Sequence, residues 1–326
     1  MKYRVLGKTG LKVSEITLGT WKIGDGWGME KSEETSIKAI EKAIELGVNT
    51  FDTALGYGGG HSEEIVGKVV RHSRDKFNVF TKVPPKDLHW PATAGVPVNK
   101  IFPLDYIIEC AEKSLKNLQT DYIDLLQLHV WNDEYLNDLE WYEALTKLKK
   151  EGKIRAFGVS SNDWDPEGTL GVIKSGLIDT VQVNHSIFEQ RPENNLFPAA
   201  IENNVGILAR VAFHEGLLTG TIRPGHQFAE GDWRAQWLTN ERLEEAEPIL
   251  KKLESLLNEN CPSLATLALK YCLSQNAVST VISGMGKPAH VESNCLASDG
   301  LLLSPGELAY IRQYAKVFDW PFAWNK

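Results

Sequence analysis

Short apolar runs alternate with amphipathic segments along most of this chain. The runs are rich in valine, isoleucine, leucine and threonine, and each has the length of a strand that is buried on both faces of a parallel sheet. The predicted strands are Ile16–Gly19, Asn49–Thr53, Asn78–Val83, Ile123–His129, Ala156–Ser160, Thr180–Asn184, Gly206–Val211 and Thr280–Ser283.

Helical patterns fill the intervals between these strands. Glu33–Leu46 has apolar residues at helical spacing and stops before Gly47, a residue suited to the left-handed position after a helix. Asp105–Leu118 starts with an aspartate that we expect to act as its cap, and Leu139–Lys150 ends in three lysines. Repeated strand–helix units predict a closed (β/α)₈ barrel.

The sequence predicts four features besides the repeated strand–helix units: a hairpin, two long loops and a set of C-terminal helices. Alternating residues around a glycine-bounded turn predict an N-terminal β-hairpin at Tyr3–Leu6 and Leu11–Ser14. Long loops follow the third and seventh strands; the first is Pro84–Pro103 and the second begins with Gly216–Asn240. Further helices are predicted near the C-terminus: Leu243–Asn258, Ser263–Ser274 and Pro305–Tyr314. The expected fold class is α/β, a single TIM barrel domain over residues 1–326 with an N-terminal hairpin, long loops after strands 3 and 7, and extra C-terminal helices.

Composition narrows the kinds of partner. Apolar residues make up 42% of the chain and charged residues 24%, which is typical of a globular protein. The net charge of −8 argues against a nucleic acid or an anionic membrane as the partner. Because neither a signal segment nor a long apolar run is found, we expect a cytoplasmic protein. We also expect a monomer or small homo-oligomer whose partner is a small molecule.

Polar side chains stand at the ends of three consecutive predicted strands. Asp52, Lys82 and His129 end the second, third and fourth strands, and Tyr57 lies in a glycine-rich loop just after Asp52. Active sites of such barrels form at these strand ends. Asp52 would keep Lys82 charged, Lys82 would lower the pKa of Tyr57, and His129 would hydrogen-bond a substrate oxygen. This set predicts protonation of a carbonyl oxygen during hydride transfer, or the reverse.

The motifs resemble those of a known family. F-D-T-A-L-G-Y-G followed by Ser62-Glu63, the L-L-Q-L-H run ending at His129, and the G-V-S run ending at Ser160 are similar to motifs of the aldo-keto reductases. The resemblance implies a catalytic tetrad of Asp52, Tyr57, Lys82 and His129. It also implies NADPH as the hydride donor and Tyr57 as the general acid and base, in a reversible reduction of an aldehyde or ketone.

The same resemblance implies a set of cofactor contacts around the barrel mouth. Four positions depart from the family pattern. Ser161 stands where asparagine is usual, with Asn162 one place later, and Arg210 replaces a tyrosine that stacks on the nicotinamide. Gly284 and His290 stand where lysine and arginine often occur. The candidate cofactor residues are Thr20, Trp21, Ser160, Asn162, Gln182, Arg210, Phe213, Gly216, Leu217, Gly220, Gly284, Lys287, His290 and Asn294.

Aromatic residues are candidates for the substrate pocket. Trp21 and Trp131 follow strand ends, Trp90 lies in the Pro84–Pro103 loop, and a tail at Trp320–Trp324 could form a roof. Ordinary packing is the alternative interpretation for each of them.

Two other functions remain open at this point. Asp52, His129 and His185 could ligate zinc in a barrel hydrolase, although no metal-binding spacing is present and Lys82 would repel the ion. Alternatively, the chain could be a regulatory subunit that binds the cofactor without turnover. We expect the reductase, with no metal.

Overall fold

The computed structural model describes residues 1–25, 32–163 and 165–316. Its strands are β1 (Tyr3–Val5), β2 (Lys12–Ser14), β3 (Ile16–Gly19), β4 (Thr50–Asp52), β5 (Asn78–Val83), β6 (Ile123–Leu128), β7 (Ile154–Ser160), β8 (Thr180–Asn184), β9 (Gly206–Arg210) and β10 (Val278–Gly284). β3 to β10 are parallel and close into a barrel in chain order, and β10 pairs with β3. β1 and β2 form a separate antiparallel hairpin.

Helices connect and surround the barrel strands. They are α1 (Trp21–Asp25), α2 (Glu33–Glu45), α3 (His61–Val70), α4 (Val98–Ile101), α5 (Leu104–Leu118), α6 (Glu140–Lys150), α7 (Leu170–Ser175), α8 (Leu196–Glu202), α9 (Arg234–Trp237), α10 (Asn240–Glu254), α11 (Leu264–Leu273), α12 (Pro288–Cys295) and α13 (Pro305–Arg312). The apolar faces of these helices pack on the outside of the strands in one large buried cluster.

The hairpin closes the N-terminal end of the barrel. Leu6, Leu11 and Val13 are buried in a second cluster with side chains from the barrel strands, such as Phe80 and Leu208. The backbone N–H of Lys8 donates to the carbonyl of Asn204, just before β9 begins. Because this end is filled with apolar side chains, the opposite end is the one left for polar chemistry.

The predicted (β/α)₈ barrel and its hairpin are confirmed, with strand boundaries within two residues of those expected. The predicted cap of α5 is wrong: Pro103 occupies the capping position, so Asp105 lies inside the first turn. α10 begins earlier than predicted because the Thr239 side chain accepts a hydrogen bond from the Arg242 N–H and caps it. The short helix α4 inside the Pro84–Pro103 loop was not predicted.

The aromatic tail and the span of the domain are two expectations that the described residues do not test. The Trp320–Trp324 tail lies outside the described residues, and the single-domain span of 1–326 stays a prediction. None of the helices in the described ranges combines the length and the hydropathy that crossing a membrane would need.

Candidate active site

A tyrosine returns over the barrel mouth because two glycines permit a tight turn. Tyr57 opens a 3₁₀ turn, Tyr57–Gly60, in which Gly58 and Gly59 have φ values of 60° and 63°. Positive φ is accessible to glycine at little cost, whereas most other residues would be strained there. The turn is tied back to the strand end by the hydrogen bond from the Tyr57 N–H to the Ala54 carbonyl.

Directly below the tyrosine lies a buried ion pair. Lys82 is fully buried, and its Nζ lies 2.5 Å from Asp52 Oδ1 and 2.8 Å from the Thr53 carbonyl oxygen. The same Nζ is 5.1 Å from the centre of the Tyr57 ring. Burial acts to lower the pKa of Lys82, but the Asp52 carboxylate and the Tyr57 hydroxyl outweigh burial and raise it above its ordinary value. The lysine is therefore a cation at neutral pH.

The second oxygen of Asp52 is held by two amides. Gln182 Nε2 donates to Asp52 Oδ2 at 3.0 Å and to Gln127 Oε1 at 3.3 Å, and Gln127 Nε2 lies 3.4 Å from the same Asp52 oxygen. Both glutamines are buried in the barrel. Gln182, expected to bind the cofactor, thus uses its NH₂ group on Asp52 and Gln127.

His129 packs beside the tyrosine as a neutral imidazole. Its ring lies edge-on to Tyr57 and to Trp90, with centroid distances of 5.7 Å in both cases. Burial, together with the positive charges of Lys82 and Arg210, lowers the pKa of His129 well below 6.5. Its Nδ1 atom is buried and has no hydrogen-bond partner among the described residues.

The expected effect of Lys82 on the tyrosine is only one of two opposing effects. Burial raises the pKa of Tyr57, whereas the positive charges of Lys82 and Arg210 lower it, and the net change is upward. The prediction that Lys82 leaves Tyr57 with a lowered pKa is therefore wrong. The charged phenolate form of Tyr57 loses more solvation free energy on burial than it gains by attraction to the Lys82 ammonium group.

Arg210, at the end of β9, is held by an ion pair. Its Nη1 lies 2.6 Å from Asp163 Oδ1 and its Nη2 donates to the Ser161 carbonyl at 2.8 Å. Asn184 Nδ2 donates to the same Asp163 oxygen at 3.1 Å. Asp163 and Asn184 were missed as site residues, although an aspartate shortly after the G-V-S run was a usable signal.

Two further predicted cofactor residues make contacts within the protein. Asn162 accepts from the Ala92 N–H and donates to the Trp131 carbonyl, so both ends of its amide tie loops together. The hydroxyl of Thr20 is fully buried and donates to the Asp52 carbonyl. Ser160 is also buried, at the end of β7.

The three predicted pocket tryptophans have different environments. Trp90 faces His129, and Trp21 is half-buried at the start of α1. Trp131 is 1% exposed, packs against Tyr135 and Trp141, and donates its indole N–H to Asp133. The interpretation of Trp131 as a pocket wall is therefore not supported, because almost none of its surface is open.

The loop after β9 has the backbone needed for close approach by a ligand. Its 3₁₀ segment, His214–Thr219, contains Gly216 at φ 101° and ends before Gly220 at φ 76°. Phe213 is half-buried and Leu217 is buried. Glu215 was not predicted as a site residue; burial and the nearby Asp163 raise its pKa to about 7, against the positive charges of Lys22, Arg234 and Arg210.

The remaining cofactor candidates meet where β10 leads into α12. Gly284 ends β10, and a Cβ atom added there would have no heavy atom within 4 Å. Lys287 and His290 are exposed at the beginning of α12. Asn294 is buried and donates its NH₂ group to Ser283 Oγ at 2.7 Å.

A closed barrel of eight parallel strands, with polar residues gathered at the C-terminal strand ends, is the architecture of (β/α)₈ barrel enzymes. A family model described as the aldo/keto reductase family matches residues 15–316. The chain belongs to the aldo/keto reductase family.

Named relatives cover nearly the whole chain. It is 33% identical over 301 residues to aldo-keto reductase YhdN of Bacillus subtilis, covering 90% of this chain and 87% of the relative. It is 30% identical to an NADH-specific methylglyoxal reductase of Escherichia coli, covering 98% of this chain and 100% of the relative.

A solved structure supports the same assignment. An aldo/keto reductase of Klebsiella pneumoniae in complex with NADP and acetate is 26% identical, covers 97% of both chains and superposes with a TM-score of 0.69. The family uses a nicotinamide cofactor, so that expectation from the sequence is confirmed.

Proposed function

We propose that this chain reduces an aldehyde or a ketone to an alcohol with NADPH, reversibly, and that Tyr57 delivers the proton. One observation carries the proposal: the fully buried Lys82 lies between the Asp52 carboxylate and the Tyr57 ring. Burying an ion pair costs free energy that apolar packing would avoid, so the pair is better explained by chemistry than by stability.

The proton moves from the tyrosine to the substrate oxygen. The nicotinamide, when bound, supplies a hydride to the carbonyl carbon. As the carbonyl oxygen gains negative charge, the Tyr57 hydroxyl gives it a proton and becomes a phenolate. The Lys82 ammonium stabilises that phenolate, and Asp52 keeps Lys82 charged. In the reverse direction the phenolate takes the proton from the alcohol.

His129 orients the substrate oxygen. Because its pKa is held well below 6.5, it is neutral at physiological pH and offers one N–H without adding a charge. Its place against the Tyr57 ring lets both groups hydrogen-bond one oxygen atom. Trp90, packed against His129, then forms one wall of the pocket.

Unpartnered polar atoms at the mouth fit a nicotinamide cofactor. Ser161 Oγ and Arg210 Nε are buried without hydrogen-bond partners among the described residues, and they are suited to the polar substituent of the ring. The glycine-bearing Phe213–Gly220 loop would receive the diphosphate. Lys287 would contact the phosphate that distinguishes NADP from NAD.

Cofactor titration followed by turnover tests the proposal. Protein fluorescence is recorded against NADPH and NADH side by side, and each binding cofactor is then assayed with a panel of aldehydes and ketones. We expect tighter binding of NADPH and cofactor oxidation that depends on the carbonyl compound. Tighter binding of NADH would refute only the NADPH preference, since a relative at 30% identity is named as NADH-specific.

The same experiment separates the other candidate functions. Cofactor binding without turnover of any carbonyl compound would instead indicate a regulatory subunit. Stoichiometric zinc in the purified protein, with no response to either cofactor, would indicate the metal-dependent hydrolase. In the described part of the chain no three acidic, histidine or cysteine side chains are grouped to hold a metal ion.

A further inference from the structure

A second ion pair lies at the barrel mouth, beside the proposed catalytic group. Arg210 and Asp163 are paired at 2.6 Å, and their side chains are 20% and 27% exposed. Hydrogen bonds from Arg210 to the Ser161 carbonyl and from Asn184 to Asp163 connect the pair to the ends of β7, β8 and β9. The guanidinium is thus fixed in position by three adjacent strand ends.

The charge of Arg210 acts on the reaction centre. It is one of the causes that lower the pKa of His129, and it also opposes the rise in the pKa of Tyr57. Hydride transfer needs the reacting atoms within about 3.5 Å of each other. A nicotinamide that serves a carbonyl held by Tyr57 must therefore lie in the same mouth, within electrostatic reach of Arg210.

The two redox states of the ring differ in charge. The reduced nicotinamide is neutral and the oxidised ring carries one positive charge. A guanidinium alone would repel the oxidised ring and leave the reduced ring nearly unaffected. The negative charge of the Asp163 carboxylate lies 2.6 Å from this guanidinium. It cancels most of the repulsion between Arg210 and the oxidised ring.

We infer that Asp163 sets the ratio of affinities for oxidised and reduced nicotinamide by neutralising Arg210. This inference rests on the proposed function, because it requires that the mouth binds the cofactor. Asp163 acts through Arg210 and is a positioning and charge-balancing residue. With Asp163 in place, the positive charge of Arg210 can lie at the barrel mouth without strongly weakening the binding of the oxidised cofactor.

Calorimetric titration with NADP⁺ and NADPH at one fixed pH tests this inference. The pH is held constant because Glu215, with a pKa of about 7, is close to Asp163. In Asp163→Asn the ratio of the NADP⁺ to the NADPH dissociation constant should rise by roughly tenfold, the size expected for two unit charges about 10 Å apart at a partly buried site.

The partner substitution gives the opposite sign. Arg210→Gln leaves the Asp163 carboxylate unbalanced and should lower the same ratio by roughly tenfold, since the oxidised ring is then attracted. In the double variant the ratio should return to within about threefold of the wild type. Asp165→Asn, an exposed aspartate of the same loop, is the matched control and should leave the ratio unchanged.

The outcomes separate this inference from the proposed function. Simple loosening of the loop would weaken both cofactor forms equally, so an unchanged ratio in Asp163→Asn and Arg210→Gln would overturn the inference alone. A ratio that moves in the same direction in both variants would overturn it as well. If the wild-type protein binds neither cofactor form, including NAD⁺ and NADH, the proposed function fails and this inference fails with it.

Discussion

At the scale of single residues, the site depends on groups kept in unusual protonation environments. Lys82 is fully buried and charged, while His129 is held neutral by burial and by the charges of Lys82 and Arg210. Asp52 holds the lysine with one carboxylate oxygen, and its other oxygen accepts from Gln182 and Gln127. Such opposed environments are typical of sites that move protons.

These environments predict a flat pH profile for carbonyl reduction. The pKa of Tyr57 is raised, so the tyrosine stays protonated and able to act as the acid across the neutral range. The pKa of His129 is far below 6.5, so it gains no proton there. Glu215 at the same mouth has a pKa of about 7, so the profile is measured in a Glu215→Gln variant that removes this titration. In that variant we expect kcat/KM for the carbonyl substrate, at saturating cofactor, to vary less than about twofold from about pH 6 to 8.

A specific profile would contradict this assignment. If kcat/KM falls as the pH is lowered through 6.5, and His129→Gln removes that fall, the histidine is charged in that range and the assigned neutral state is wrong. Oxidation of the alcohol needs the Tyr57 phenolate, so that direction should accelerate with rising pH.

At the scale of elements, the hairpin formed by β1 and β2 buries apolar side chains against the closed end of the barrel. Leu6 is fully buried at the closed end of the barrel, whereas Val5 beside it is 60% exposed. Leu6 also packs against Gly206, where an added Cβ atom would lie 2.7 Å from a leucine methyl carbon. The close packing leaves little room for the barrel to relax around a smaller side chain.

Truncation of this residue should destabilise the protein without changing the chemistry. Leu6→Ala is expected to lower the free energy of unfolding by about 2–5 kcal/mol, through lost burial and the cavity left behind. Val5→Ala, the adjacent control, should change it by less than about 0.5 kcal/mol. Denaturant unfolding measures both, and a Leu6→Ala variant as stable as the control would mean that the hairpin does not pack as described.

The elements were largely predictable because each barrel strand is buried on both sides. Ile123–Leu128, for example, is apolar apart from Asp124 and Gln127, and such a run has few alternatives to a central strand. Helix ends were less predictable, as at α10, where the Thr239 cap lies upstream of the apolar pattern.

At the scale of the whole molecule, the two ends of the barrel differ in the side chains that they carry. The N-terminal end is filled by the hairpin, and the C-terminal end collects residues from six strand ends or the loops that follow them: Asp52, Lys82, His129, Asp163, Asn184 and Arg210. Grouping at the C-terminal ends was predictable from the strand pattern and the family resemblance.

The contacts inside this group were not predictable from sequence. Nothing in the pattern indicated that Asn162 would use its amide on Ala92 and Trp131, or that Asp163 would neutralise Arg210. Those partners lie on loops whose conformation depends on the assembled barrel. Likewise, the net rise in the pKa of Tyr57 depends on its burial, which a sequence motif does not report.

We propose that Tyr57 delivers the proton while other groups bind the cofactor. The most direct test of this proposal is Tyr57→Phe, compared with Tyr142→Phe on α6, in parallel measurements of NADPH binding and of carbonyl reduction. We predict that Tyr57→Phe keeps the NADPH dissociation constant within about threefold of wild type but lowers kcat by roughly 10²- to 10⁴-fold, whereas Tyr142→Phe changes neither. Carbonyl reduction by Tyr57→Phe at the wild-type rate would contradict the account.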